Sequence, residues 1–316
     1  MWHSVEGESL GHWPEGTVWE GGEAPSPGSA WRVSRALIRS RERDTFVEVR
    51  GMNWRRRDWR RSIWVGLILS CPFVLMPSEA RGQDIFEIQV YEYPTVPKGE
   101  WNLETHFNFI ASGTKEFDGT VAPTDHTFHL TFELTRGITD HFELAGYLML
   151  AQRPGGGFEY AGTRIRPRIR LPESWGLPVD ISVSTEVGFP RPQYEANSVT
   201  LEIRPVIEKT FERWRLSFNP VVGRALRGPD SDEGFDFEPG AKVAYFVNPK
   251  LNVGLEYYGS TGSITDPLPA GEQQHLLFPS LDIFLSEKTM INLGVGFSLT
   301  GVNEKLIPKM RVGYRF

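Results

Sequence analysis

Four arginines stand at alternate positions in one short run: Arg164, Arg166, Arg168 and Arg170. On an extended chain every second side chain shares a face. The run therefore predicts a ladder of guanidinium groups, always charged and shaped to grip carboxylates. Arg213, Arg215 and Arg311 add base on other runs, and Glu104, Glu133, Glu143, Glu202, Glu238 and Glu256 supply acids to oppose it. Such a set would screen or select polar solutes along a pore wall. The competing reading is that paired charges plug a narrow lumen and only stabilise it. His106 and His129, with Glu104 and Glu133 nearby, form a weaker candidate for a metal site; two polar lumen residues are the simpler account. No catalytic group is predicted. His275 has no clear serine neighbour on its face, and Gly155-Gly156-Gly157 reads as a loop, not a phosphate cradle. Neither an enzyme nor a cofactor is expected.

Strands must position these charges. From Trp101 onward apolar residues recur at every second position over runs of about ten, with turn residues between, which is β periodicity. The first run sets Leu103, Thr105, Phe107 and Phe109 against Glu104, His106 and Asn108; the second sets Phe128, Leu130, Phe132 and Leu134 against His129, Thr131 and Glu133. Twelve such runs follow one another to Phe316, with no helical pattern among them. Connections after even runs are mostly short, as at 137–140, 212–213 and 248–249, and those after odd runs mostly long and polar, as at 112–125, 190–197 and 259–273. Short turns on one rim and long loops on the other mark an outer-membrane barrel. The expected fold is thus all-β: an antiparallel, up-and-down transmembrane barrel of about twelve strands. A barrel satisfies its backbone without water or open edges. Charge on its lipid face costs about 2–4 kcal/mol near the midplane, so the charged set must point inward. A soluble β-sandwich also alternates, but does not sort its turns by rim.

Pro167, Pro205, Pro239, Pro279 and Pro308 fall within strands 4, 6, 8, 10 and 12, and Pro220 within strand 7. Proline cannot donate to a ladder, so either a shared irregular level or shifted strand ends is expected there.

Composition divides the chain. Residues 1–80 carry 11 of the 34 Lys and Arg, all arginine, and 10 of the 40 acids, leaving the rest clearly acidic. A basic nucleic-acid binder is excluded as a first reading. The single cysteine, Cys71, rules out a disulfide framework or a cysteine-built zinc site. Residues 52–80 have the parts of a secretory signal: Arg55 to Arg61, an apolar stretch from Ile63 to Met76, and Ser78-Glu79-Ala80 for cleavage after Ala80. Residues 1–51 show no periodicity and read as a doubtful or disordered leader, with Met52 a possible true start. A lipidated Cys71 fits the flanking residues poorly. Residues 81–316 are then the barrel domain. Its last residues, Val312, Tyr314 and Phe316, put apolar groups at every second position, as in the signal read by the outer-membrane assembly machinery.

The stretches Gly137-Ile138-Thr139-Asp140-His141-Phe142-Glu143-Leu144, Ile203-Arg204-Pro205-Val206-Ile207-Glu208-Lys209 and Asn248-Pro249-Lys250-Leu251-Asn252-Val253-Gly254-Leu255 resemble bacterial outer-membrane β-barrel transporters of the meta-pathway phenol-degradation type. The resemblance spans about 84–316 and rests on turn and strand motifs. It implies fold, an outer-membrane location and uptake of aromatic compounds, and it carries over no binding residue.

The expected function is an outer-membrane channel for passive passage of small solutes, aromatic or anionic compounds among them. The alternatives are a closed structural or adhesive barrel, then a barrel enzyme or a soluble periplasmic sandwich. Expected partners are outer-membrane lipids, the assembly machinery and small solutes, with no nucleic acid.

Overall fold

The computed structural model describes residues 83–117 and 119–316. The leader and the signal segment with its cleavage site lie outside the described residues.

Twelve strands run in chain order: β1 (Trp101–Phe109), β2 (Phe128–Thr139), β3 (Phe142–Gln152), β4 (Phe158–Arg170), β5 (Asp180–Pro190), β6 (Val199–Phe211), β7 (Trp214–Arg227), β8 (Asp236–Asn248), β9 (Leu251–Ser260), β10 (Gln274–Phe284), β11 (Thr289–Ser298) and β12 (Leu306–Arg315). Each pairs antiparallel with its neighbours, and β12 returns to β1 to close the barrel. The closing seam runs from Asn102 opposite Arg315 to Asn108 opposite Lys309. Beyond it, Trp101 and Phe316 exchange backbone hydrogen bonds of 2.8 and 2.9 Å. The described residues add one short 3-10 turn, Glu173–Trp175.

Alternation decides the two faces. Along β2 the even positions Leu130, Phe132 and Leu134 face outward, while His129, Thr131, Glu133 and Thr135 are buried inside. Exposed Leu144, Ile165, Ile169, Phe218, Val243 and Leu255 continue the outer belt. Aromatics flank it at both rims. Trp214 meets Tyr245 at 4.9 Å and Tyr314 stacks on Phe316 at the short-turn rim; Phe128 sits between Phe107 and Phe158 at the long-loop rim. An apolar band between two aromatic girdles is the exterior that a bilayer selects.

The strands run through their prolines instead of ending at them. Pro167 pairs with Leu144, Pro205 with Val183, Pro279 with Leu255, Pro308 with Val295, and Pro220 faces Pro239. The lost donor shows on the other side: the ladders β4–β5, β6–β7 and β10–β11 lapse across Pro167, Pro205 and Pro279 before resuming.

Candidate functional site

The lumen is not empty. Residues 83–98, ahead of β1, cross it outside every strand of the barrel, with a turn at Ile85 and Phe86. Gln83 lies at the long-loop rim, where its N–H donates to the Gln274 side chain. At the short-turn rim, the Val96 N–H donates to Glu143 at 2.6 Å. Between these points wall side chains replace a partner strand. Asn219 accepts from the Tyr91 N–H at 2.6 Å and donates to its carbonyl at 3.1 Å. Asn108 donates to the Ile85 carbonyl, Lys309 to that of Ile88, Arg204 to that of Gln89 and Arg168 to those of Glu92 and Tyr93. Buried backbone groups need partners, and here charged side chains provide them.

Gly137 makes the segment's exit possible: a Cβ there would lie 2.0 Å from the Pro97 carbonyl oxygen. The Gly99 N–H bonds the Gly137 carbonyl at 2.9 Å, and the chain then turns outward into β1.

The arginine ladder faces inward as the spacing predicts, yet every rung is engaged. Arg164 binds Asp84 of the segment and Glu186, the latter at 3.0 Å. Arg166 binds Glu133, Glu143 at 2.7 Å, and the Tyr147 hydroxyl. Arg168 holds Ser182 besides the two segment carbonyls. Arg170 sits at the rim on the Asp140 carbonyl and on Glu173. Guanidinium carbons of Arg166, Arg168 and Arg204 lie 5.2, 5.2 and 4.3 Å from the centre of the Tyr91 ring. Cation–π contacts of this kind contribute roughly 0.5–2 kcal/mol each.

Elsewhere Arg215 and Lys242 both reach Glu92. Lys242 also binds Asp282 at 2.8 Å, Lys309 binds Glu256, and Arg311 binds Glu104 at 2.6 Å. Glu202 pairs with Arg204 at 2.7 Å, and Glu238 borders the long-loop mouth. Val312, Tyr314 and Phe316 point outward on or beside β12. Two expectations are corrected. Arg213 lines nothing: it is exposed in the two-residue turn between β6 and β7, because β7 starts only at Trp214. His129 shares the inner wall with His106 on the adjacent strand, as expected, but does not join it in one ligand cluster. The register puts His129 opposite Asn108 and His106 opposite Thr131, and the His129 ring meets Phe86 edge-on at 4.6 Å.

The spacing argument missed Glu87, Tyr91, Glu92, Arg204, Asn219 and Lys242. A signal was present. Leu276, Leu277 and Phe278 are consecutive, so β10 is apolar on both faces. An inner apolar face needs an apolar partner, and that partner is Ile88 and Val90, packed with Ile110, Tyr258, Leu276, Phe278 and Ile307.

Cavities remain at both rims. The one at the long-loop rim holds about 650 Å³ and is lined by eight carboxylates against three bases, Lys115, Arg164 and Arg224. The one at the short-turn rim holds about 320 Å³ and reaches Gln89, Tyr91, Arg166 and Arg168. Glu87 and Ile88, both buried, lie between them along the segment. In the loop 110–127, Asp125 accepts from the Gly113 N–H at 3.0 Å and pairs with His126 at 2.8 Å. Chiefly the Gly113 bond holds its carboxyl below the ordinary range.

No protein-family model matches the chain, and no curated protein matches it. Solved structures do. The NanC porin shares 8% identity at a TM-score of 0.45, covering 68% of this chain and 98% of its own. The KdgM porin in complex with disordered oligogalacturonate shares 10% at 0.40, with the same coverages. The Acinetobacter baumannii outer membrane protein Omp33 shares 12% at 0.37, covering 72% and 100%. Likeness at this level carries no functional argument, so function is read from the lumen. The pairing within the chain itself establishes the class: a closed, antiparallel, twelve-stranded β-barrel of the outer-membrane kind.

Proposed function

We propose that the protein is an outer-membrane channel for small polar solutes, closed at rest by its own residues 83–98. The observation that carries this is the bore of the barrel: the lumen accepts a peptide segment along its height, so the same space without the peptide admits a small solute. The wall is suited to water. Its buried groups are mostly polar, and water can replace the segment's polar contacts when it withdraws. The apolar belt and aromatic girdles support insertion in the outer membrane, after export on the signal ending near Ala80. The outward Val312, Tyr314 and Phe316 suit recognition by the assembly machinery.

Selectivity follows from the pairing. Along the inner wall Arg164, Arg166, Arg168, Arg204, Arg215, Lys242, Lys309 and Arg311 stand with Glu104, Glu133, Glu143, Glu186, Glu202, Glu208, Glu256 and Asp282. Base and acid balance, so the arginines of β4 give a transverse field, not a net anion filter. The acid-rich long-loop mouth adds a pull on cations. The meta-pathway resemblance adds phenolic solutes as cargo to test.

The packing around Ile88 and Val90 favours a second reading, a permanently closed barrel. Bilayer recording separates the two. The full chain should show rare discrete openings and the Tyr91→Ala variant frequent ones, with a reversal potential displaced modestly to the cation-selective side in a salt gradient. A folded barrel silent in both forms would leave only the closed reading.

A further inference from the structure

We infer that Glu87, His106 and Glu133 form a divalent-cation site, of the kind zinc takes, which clips the luminal segment to the barrel wall. Glu87 belongs to the segment, His106 to β1 and Glu133 to β2, so a single ion would bridge three separate stretches of chain. One ligand atom from each lies within 4.8 Å of the other two, and all three residues are buried.

Three atoms so placed share a point no more than about 2.8 Å from each. Roughly 0.6–0.8 Å of contraction per ligand then gives zinc distances to nitrogen and oxygen.

The hydrogen bonding around the site points the same way. The Tyr91 hydroxyl donates to Oε1 of Glu87 at 2.6 Å, while Oε2 of Glu87 has no hydrogen-bond partner. Arg166 and Thr135 donate to Oε1 of Glu133, while Oε2 faces Nε2 of His106 at 3.7 Å. Nε2 of His106 is itself buried and without a hydrogen-bond partner. Each carboxylate is thus oriented through one oxygen by an outer donor, as supporting groups orient ligands in metal centres, and for Glu133 the other oxygen is the one that faces the imidazole. Buried polar atoms left unpaired are rare and call for an occupant.

One imidazole and two carboxylates suit zinc or cobalt better than magnesium or calcium, which take oxygen donors. Arg164, 3.8 Å from Oε2 of Glu87, and Arg166 oppose a dication, so the site should be modest in affinity. The fourth position falls to water or to Glu104, whose Oε2 lies 4.0 Å from Nε2 of His106.

The site does not depend on the channel reading, because binding is measured on the closed barrel. The full chain, folded in detergent and stripped with chelator, would be titrated with Co²⁺ and then Zn²⁺. One equivalent of Co²⁺ should give the visible bands of a four-coordinate ion, and Zn²⁺ should abolish them. Glu87→Gln and His106→Ala should each weaken binding by about tenfold or more, since losing even a supporting group outside the ligand set has that effect. His129→Ala should leave it unchanged. Gel mobility with and without boiling checks that each variant still forms a barrel. Absence of one-equivalent binding overturns the proposal, as does binding that survives both ligand substitutions in folded barrels or that depends on His129.

Discussion

On the β9–β12 side the side chains of Ile88 and Val90 rest against carbon; on the β4–β8 side those of Tyr91 and Glu92 rest against charge. Ile88 and Val90 fit among Leu276, Phe278 and Ile307, where hardly any surface reaches solvent. Tyr91 and Glu92 instead meet Arg166, Arg168, Arg204, Arg215 and Lys242. The two kinds of hold respond to different conditions. Apolar burial contributes about 25 cal/mol per Å² and is insensitive to moderate salt. Ion pairs near water are screened, with a Debye length of roughly 10 Å at 0.1 M and 3 Å at 1 M salt. The segment is therefore anchored by one wall and tuned by the other.

Removing the anchor should have the largest effect. Phe278→Ala leaves a cavity facing Ile88 and Val90, and core truncations of this size cost about 3–5 kcal/mol. Chymotrypsin should then cut at Tyr91 or Tyr93 in folded barrels at every salt concentration; unchanged protection would show that the apolar wall is not the anchor. Glu92→Ala attacks the tuned side. The pair it breaks is a quarter exposed, so the loss should be only about 1–2 kcal/mol. Raising salt should reproduce much of its effect in the parent chain, and a salt-independent phenotype would erase the contrast between the walls. Gly137→Ala tests the exit alone. Its new methyl would collide with the Pro97 carbonyl, and an overpacked site costs about 1–3 kcal/mol. We expect cleavage near Pro97 to rise while the Tyr91 level stays protected. The smallest effect lies beyond both walls. The Asp125 carboxyl titrates below its unfolded value, so its contribution to loop order is complete above that value and lost as pH falls through the lowered one. Proteolysis within 110–127 should increase only in acid below about pH 4, and Asp125→Asn should remove that step.

Much of the barrel is written in period-two spacing. Alternation gave the strands, their faces and the sorted rims, because lipid and water tolerate no mixing along a single strand. The same spacing placed the arginine ladder and Glu133 on the inner wall. It could not show what they face. Ile85 to Tyr93 has the apolar and aromatic content of a strand, yet Pro94 and Pro97 follow it and no ladder receives it. Whether such a stretch pairs, inserts or lies free depends on the space inside a closed cylinder, a property of all twelve strands together. The His106 partnership with Glu133 was within reach of spacing, and the isolation of His129 was not, since it depends on register and on Phe86 arriving from outside the sheet.

The direction of the segment bears on how the molecule can be made. Gln83 is at the long-loop rim and Trp101 at the opposite one, so the described residues traverse the wall's height thirteen times while only twelve passes are stitched to neighbours. The unstitched pass leads directly into β1, and β1 is sealed by β12, the strand farthest from it in sequence. The cylinder must therefore shut around a thread already lying inside it, or admit that thread afterwards through the short-turn rim. In the first case the thread serves as a mandrel: Tyr91, Glu92 and the arginines would meet before the last seam forms, and the order of assembly would be set by a stretch that belongs to no sheet.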